Sequence, residues 1–336
     1  LFEKIYDFSN LHRAYTLASR GKKHRREVLK FEQNLEENLI DIQNRLIWGM
    51  YKPGPYKTFE VYEPKKRQIA CLPFYDRVVQ HAVNNIIEPV FEKVFIFDSY
   101  ACRKGKGTHA GALRAQRFIK DAGRQETNVY ILKCDIEKYF NTIDRDILYD
   151  LLKRKLKCRR TLELLKVILD SSEDICPYCG IPLGNLTSQL FANIYLNHLD
   201  MLLKHEYRVK MYARYMDDFI IVHNNKEYLN GLLSEIKEFL KAELRLNLNS
   251  KTKIFKTTRT GEPLNFLGYR IWSDHMKLRR GFIVKTEKEI KKINKRMINN
   301  PGYKIAAERK IASWKGHAGF CNSHLTMKRI LSKVQI

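Results

Sequence analysis

Lys210-Met211-Tyr212-Ala213-Arg214-Tyr215-Met216-Asp217-Asp218-Phe219-Ile220-Ile221-Val222 is the stretch on which the rest of the chain is read. Aromatic and β-branched residues on both sides of the two acids predict two strands, with Asp217 and Asp218 at a hairpin turn. Two like charges about 4 Å apart repel by roughly 4 kcal/mol at an effective dielectric of about 20, so adjacent acids in a packed setting call for a cation, and hard oxygen ligands favour magnesium. The plain alternative is a solvated acidic turn, which is the default for a bare Asp-Asp pair. A second acid in a matching setting shifts the balance. Val129-Tyr130-Ile131-Leu132-Lys133-Cys134-Asp135-Ile136 is an apolar run ending on a lone carboxylate, and Asp144, a good N-cap residue, marks a helix beyond it. An acid at the end of a buried strand can face a hairpin on the neighbouring strand. Three carboxylates converging on two metal ions suit phosphoryl transfer, with one ion activating a 3′-hydroxyl and both stabilising the in-line displacement.

With 336 residues, 44% of them hydrophobic, the chain has material for a core and two or three modules. Its 62 Lys and Arg against 37 acids give a net charge of +25, unevenly spread: residues 277–336 hold 16 of the cations and 3 of the acids. That asymmetry points to a polyanion, most economically nucleic acid. A membrane-surface role is the competitor, but no segment reaches roughly 18 uninterrupted apolar residues. No signal peptide is visible, and a chain opening on Leu1 suggests that the true start is missing. Seven scattered cysteines, an odd number, fit a reducing compartment, with cytoplasm the default. Cys176-Pro177-Tyr178-Cys179-Gly180 has half of a zinc-knuckle spacing, and with no second Cys or His pair close by a turn is favoured over a metal site.

Val28, Phe31, Leu35, Leu39, Ile42 and Leu46 recur at spacings of three and four and predict one long amphipathic helix. Phe59-Glu60-Val61-Tyr62 and Gln68-Ile69-Ala70-Cys71-Leu72 predict paired strands around a basic tip at Lys65-Lys66-Arg67. Helices are expected over 76–91, over 109–121 behind the glycine-bearing loop 100–108, and as a pair over 147–152 and 162–168. Another is expected over 229–244. Further strands are expected near 252–255 and 266–272, with the basic remainder as a separate helical module. The class is α+β.

In this order the elements resemble reverse transcriptases, whose palm domain sets an Asp on one strand against a Tyr-x-Asp-Asp hairpin on the next. Arg67-Gln68-Ile69-Ala70-Cys71-Leu72-Pro73 with Asp76-Arg77-Val78-Val79-Gln80 looks like the fingers motif of bacterial and group II intron enzymes, as does Ser99-Tyr100-Ala101-Cys102-Arg103. The resemblance runs from Pro64 to about Tyr269. It implies a right-hand polymerase architecture: an N-terminal helix and fingers over 1–130, an antiparallel-sheet palm over 131–275 and a basic helical thumb over 276–336. At Ile181-Pro182-Leu183-Gly184-Asn185-Leu186-Thr187-Ser188-Gln189 group II intron enzymes usually carry Gln-Gly-x-x-x-Ser-Pro. An apolar residue in place of that Gln, and Gln in place of the Pro, is the pattern of diversity-generating retroelements. A compact length without an endonuclease or maturase extension is expected of that branch, and Trp314-Lys315-Gly316-His317-Ala318-Gly319-Phe320 is similar to its thumb ends.

The resemblance implies a role for each matching residue. Asp135, Asp217 and Asp218, with the main-chain carbonyl of Ile136, form a two-metal magnesium site. Phe140 is the steric gate favouring deoxynucleoside triphosphates. Lys65 and Arg67 clamp the triphosphate, Arg through a bidentate fork and Lys as a point charge. Lys251 stands near the leaving pyrophosphate as a general acid. Leu183, Gly184 and Gln189 line the nucleotide site. Arg103 and the primer-grip hairpin Phe266-Leu267-Gly268-Tyr269 hold template and primer. The implied product is error-prone, adenine-directed cDNA copied from a template-repeat RNA. The implied partners are that RNA, the RNA/cDNA duplex and a small basic helical oligomer, the accessory variability determinant protein. A retron or group II intron enzyme is the near alternative, and a non-catalytic RNA-binding protein with a polymerase fold is the distant one.

Overall fold

The computed structural model describes residues 1–62, 66–125, 128–172 and 176–334. In chain order the helices and strands are α1 (Phe2–Tyr6), α2 (Phe8–Ser19), α3 (Arg26–Gln33), α4 (Leu35–Ile47), β1 (Lys57–Val61), β2 (Arg67–Cys71), α5 (Phe74–Glu92), α6 (Thr108–Gln125), β3 (Val129–Asp135), α7 (Tyr139–Thr142), α8 (Arg145–Lys155), α9 (Arg159–Asp170) and α10 (Leu186–Met201). They continue as β4 (Tyr212–Tyr215), β5 (Asp218–His223), α11 (Lys226–Leu244), β6 (Lys253–Thr257), β7 (Leu264–Phe266), β8 (Tyr269–Ile271), β9 (Met276–Leu278), α12 (Arg280–Asn299), α13 (Lys304–Gly319) and α14 (His324–Leu331). Two compact units share them. One comprises Leu1–Phe97, Asp135–Arg208 and Glu235–Ser250, and the other Asp98–Cys134, Val209–Ser234 and Lys251–Ile336. Among the described residues no helix is long and apolar enough to cross a membrane.

In the first unit α2, α3 and α5 bury Tyr15, Phe31 and Phe74, whose rings meet at 5.2 to 6.3 Å. The single long helix expected over residues 28–46 is two helices. Asn34 leaves the helical region at φ −126° and ψ 52°, and the Nδ2 of Asn38 donates to the freed carbonyl of Phe31 at 3.0 Å. The apolar stripe survives the break, since Val28, Phe31, Leu39, Ile42 and Leu46 are all buried. β1 and β2 form the expected two-stranded antiparallel hairpin, with every residue of β1 exposed. Lys65 lies outside the described residues. Asp144 caps α8 as expected, its side chain accepting from the amides of Asp146 and Ile147 at 3.0 and 3.1 Å. α10 is buried nearly all round, as an apolar helix inside a helical layer must be.

In the second unit four strands run in the order β4-β5-β3-β6. β4 pairs β5 and β3 pairs β6, both antiparallel. The β5–β3 pair runs antiparallel too, because Lys133 reaches Asp218 at one end while Asn224 donates to the carbonyl of Asn128 at the other. The three-stranded antiparallel sheet β7-β8-β9 includes β9, which the sequence reading lacks. The basic C-terminal helices pack within this unit. Ile290, Ala318, Met327 and Ile330 share one buried cluster with Phe266, Tyr269, Ile271 and Phe118.

Candidate active site

Tyr215 pairs with Asp218, so Met216 and Asp217 make a two-residue turn between β4 and β5. Met216 takes φ +57°, a left-handed conformation that costs a non-glycine residue about 1–2 kcal/mol. Asp217 and Asp218 are half-buried. The Lys133 ammonium lies 3.1 Å from one oxygen of Asp218 and 3.2 Å from the other. Lys133 belongs to β3, whose last residue is Asp135. Strand alternation turns Asp135 to the same side of β3 as Lys133.

The backbone after β3 is held firmly. The carbonyl of Asp135 accepts from the amide of Asn249 at 2.7 Å, Ile136 forms a bridge with Leu248, and the amide of Glu137 donates to Asn247 at 2.9 Å. Lys138 then turns the chain at φ +46° into α7, which carries Phe140. Phe140 is half-buried, with its ring edge-on to Tyr139 at 5.7 Å.

Residues 180–184 run from α7 to β2. At one end the amides of Gly180 and Ile181 donate to the carbonyls of Ile143 and Phe140 at 2.7 and 2.8 Å. At the other the carbonyl of Leu183 accepts from Ala70 of β2 at 2.8 Å. Gly184 has φ +126°, and a Cβ there would meet the Ala70 oxygen at 2.3 Å, so only glycine fits. Gln80 caps the start of α10 by accepting from the amide of Leu186 at 3.1 Å. Gln189 is exposed on α10, and Arg67 is exposed on β2.

In the second unit the β7–β8 turn places Leu267 and Gly268 at φ +51° and +91°. Phe266 and Tyr269 close it and are fully buried. The Tyr269 ring stacks on His317 of α13 at 4.7 Å, and its hydroxyl lies 3.0 Å from Nδ1 and donates to the carbonyl of the same residue at 3.2 Å. Burial raises the Tyr269 pKa and lowers that of His317, the latter with help from His109. Lys251 is exposed just ahead of β6. Arg103 donates to the carbonyl of Ser99 at 2.8 Å.

Two residues that contact the turn escaped the sequence reading: Lys133 and the buried Arg214, whose Nη1 donates to the carbonyl of Met216 at 3.1 Å. The signal was present in both cases, a cation interrupting an apolar strand. The carboxylate oxygens of Asp135, Asp217 and Asp218 are the hard donors magnesium takes. Among the described residues no group of three His, Cys, Asp or Glu side chains is gathered to hold a metal ion. At the Cys-x-x-Cys turn, Arg145 donates to the carbonyl of Cys176 at 2.6 Å and the Cys179 thiol to that of Asn141 at 3.1 Å.

Residues 52–271 match the family described as reverse transcriptase (RNA-dependent DNA polymerase). The chain is 26% identical over 282 residues to protein YkfC of Escherichia coli (strain K12), which covers 71% of this chain and 72% of that protein. It is 24% identical over 327 residues to the group II intron-encoded protein LtrA of Lactococcus lactis subsp. cremoris, covering 76% of this chain and 52% of LtrA. The chain thus spans about half the length of LtrA. A structure of telomerase from Candida albicans in complex with the TWJ fragment of telomeric RNA is similar in fold, with a TM-score of 0.51 at 10% identity over 71% of this chain and 50% of that one. A family match over well more than half of its residues, on a matching fold, means that the chain belongs to the reverse transcriptases, the RNA-dependent DNA polymerases, and is built on their α+β polymerase architecture.

Proposed function

We propose that this reverse transcriptase is of the diversity-generating type, copying a template-repeat RNA into cDNA with errors opposite adenine. One observation carries the catalytic reading: the Tyr215–Asp218 turn stands at one end of an antiparallel sheet, with Lys133 of the next strand on Asp218 and Asp135 two residues further along that strand. The subtype rests on Leu183, whose carbonyl ties residues 180–184 to β2 beside Gly184, and on Gln189 of α10.

In this reading 1–130 are the N-terminal helix and fingers, 131–275 the palm and 276–336 the thumb. Asp135, Asp217 and Asp218, with the Ile136 carbonyl, would hold two magnesium ions, whose chemistry is to acidify the primer 3′-hydroxyl and offset charge in the in-line displacement. Phe140 excludes a ribose 2′-hydroxyl. Lys65 and Arg67 hold the triphosphate of the incoming dNTP, and Lys251 protonates the leaving pyrophosphate. Leu183, Gly184 and Gln189 shape the nucleotide site. Arg103 and the Phe266–Tyr269 hairpin seat template and primer. The partners are the template-repeat RNA, its RNA/cDNA duplex and an accessory variability determinant protein, and the enzyme is a cytoplasmic one, bacterial or phage-encoded.

The test is primer extension on an RNA template with magnesium, comparing the parent chain with Asp217→Ala. Synthesis by the parent, abolished in the variant, is expected. Equal synthesis by both, or none by either with the accessory partner and native RNA present, would leave an RNA-binding protein. A second reading, a group II intron enzyme, is favoured by the likeness to LtrA. Flanking DNA separates the two, since a near-duplicate repeat pair differing at adenines supports the first and an intron ribozyme supports the second.

A further inference from the structure

Arg214 is the largest fully buried side chain among the described residues. Removing a guanidinium from water is unfavourable unless its donors are used on well-placed acceptors. One of them is used on the carbonyl of Met216, 3.1 Å away, and that carbonyl belongs to the peptide joining Met216 to Asp217. Met216 holds φ +57° with a full side chain, so the turn has a conformation its sequence does not favour locally.

The main chain of Arg214 is clamped as well. Its amide donates to the carbonyl of Asp98 and its carbonyl accepts from the amide of Tyr100, each at 2.9 Å, so residues 98–100 form a short bridge along β4. Asp98 is itself buried and fixed, accepting from Arg114 Nε at 2.8 Å and from the Tyr100 hydroxyl at 3.0 Å. The guanidinium therefore reaches the turn from a rigid base.

We propose that Arg214 is a positioning residue that locks the left-handed Met216 turn and so fixes the direction in which Asp217 and Asp218 present their carboxylates. The assignment rests on the polymerase reading for its effect on rate, though not for its effect on the turn. Arginine suits the position because its planar fork serves a fixed carbonyl while the rest of the group stays packed, which the single point of a lysine ammonium cannot reproduce. Buried beneath the turn, Arg214 acts through the Met216 carbonyl it holds.

The experiment measures single-nucleotide extension and amide hydrogen exchange over residues 215–218 for the parent, R214K, R214M, M216G and R214K/M216G, with folding of each checked by urea unfolding. R214K keeps the charge and remains informative if R214M does not fold. The expected result is a kcat about 10²-fold lower in R214K, the scale of a misplaced catalytic group, with KM for dNTP and affinity for template–primer unchanged, and faster exchange at the turn. Glycine adopts the left-handed conformation without strain, so the same substitution in the M216G background should cost much less. An undiminished kcat in R214K, or an equal loss in both backgrounds, would overturn the proposal. If the parent extends no primer, the polymerase reading fails, and the exchange comparison alone decides whether Arg214 holds the turn.

Discussion

A side chain at residue 184 would put its first carbon 2.3 Å from the carbonyl oxygen of Ala70, so the loop before α10 can approach β2 only through glycine. Leu183, the next residue back, gives its carbonyl to the same strand and carries a half-buried apolar side chain. A glutamine there could hydrogen-bond the nucleotide or nearby backbone, which leucine cannot, and unmade polar contacts are where geometric discrimination is lost. Leu183→Gln should therefore lower misincorporation opposite template adenine, and an unchanged error spectrum in primer extension would count against the proposed role. Asp217, Asp218 and their turn were legible because strand patterning brackets them on both sides. Lys133 and Arg214 were not, since a cation inside an apolar run reads as an interruption until its partner is known. For Lys133 the partner is Asp218, and for Arg214 it is a backbone carbonyl that no side-chain pattern reveals.

Helices and strands with strong periodicity emerged with nearly the expected bounds, including α5, α8, α11 and the β4–β5 hairpin. The two misreadings have different causes, the first being that periodicity identifies a face without showing whether the backbone beneath it is continuous. The stripe from Val28 to Leu46 is one face carried by two helices, because the side chain of Asn38 takes over a carbonyl released at the Asn34 break. β9 is three residues long and pairs with β8, too short for an alternation signal. α5 also carries a titration that pattern cannot show. Burial, reinforced by the nearby Lys22 and Arg77 charges, lowers the pKa of His81 to about 4, whereas in an unfolded chain it is about 6.5. Between those values the unfolded chain binds more protons, so the stabilising contribution is complete above about pH 6.5 and is lost as pH falls toward 4. Urea midpoints should drop from pH 7 to pH 5 in the parent and drop less in His81→Gln. Equal drops in the two would show that His81 is not a source of the acid sensitivity.

At the scale of the whole molecule the net charge of +25 matters through where it sits. Burying α12–α14 against β7–β9 forces their cations outward, since Ile290 and Ile293 occupy the inner face of α12 while Lys292, Lys295 and Arg296 stay exposed. These three, with Asn299, Asn300 and Tyr303, line a cavity of about 560 Å³. Tyr303 supplies an aromatic face on which Arg296 already lies, 5.6 Å from the ring centre. Cations beside an aromatic ring suit a nucleic-acid backbone with a base or sugar nearby. Deleting α12–α14 would tear open the shared core, so the electrostatic role of these helices is better read from substitutions that leave the core intact. Replacing Lys292, Lys295 and Arg296 together by alanine should leave the urea midpoint nearly unchanged while weakening template–primer binding. Each phosphate contact removed should flatten the dependence of log affinity on log salt by about 0.9. A triple variant with the parent's salt slope would place the duplex elsewhere, and the excess charge of residues 277–336 would then need another polyanion to explain it.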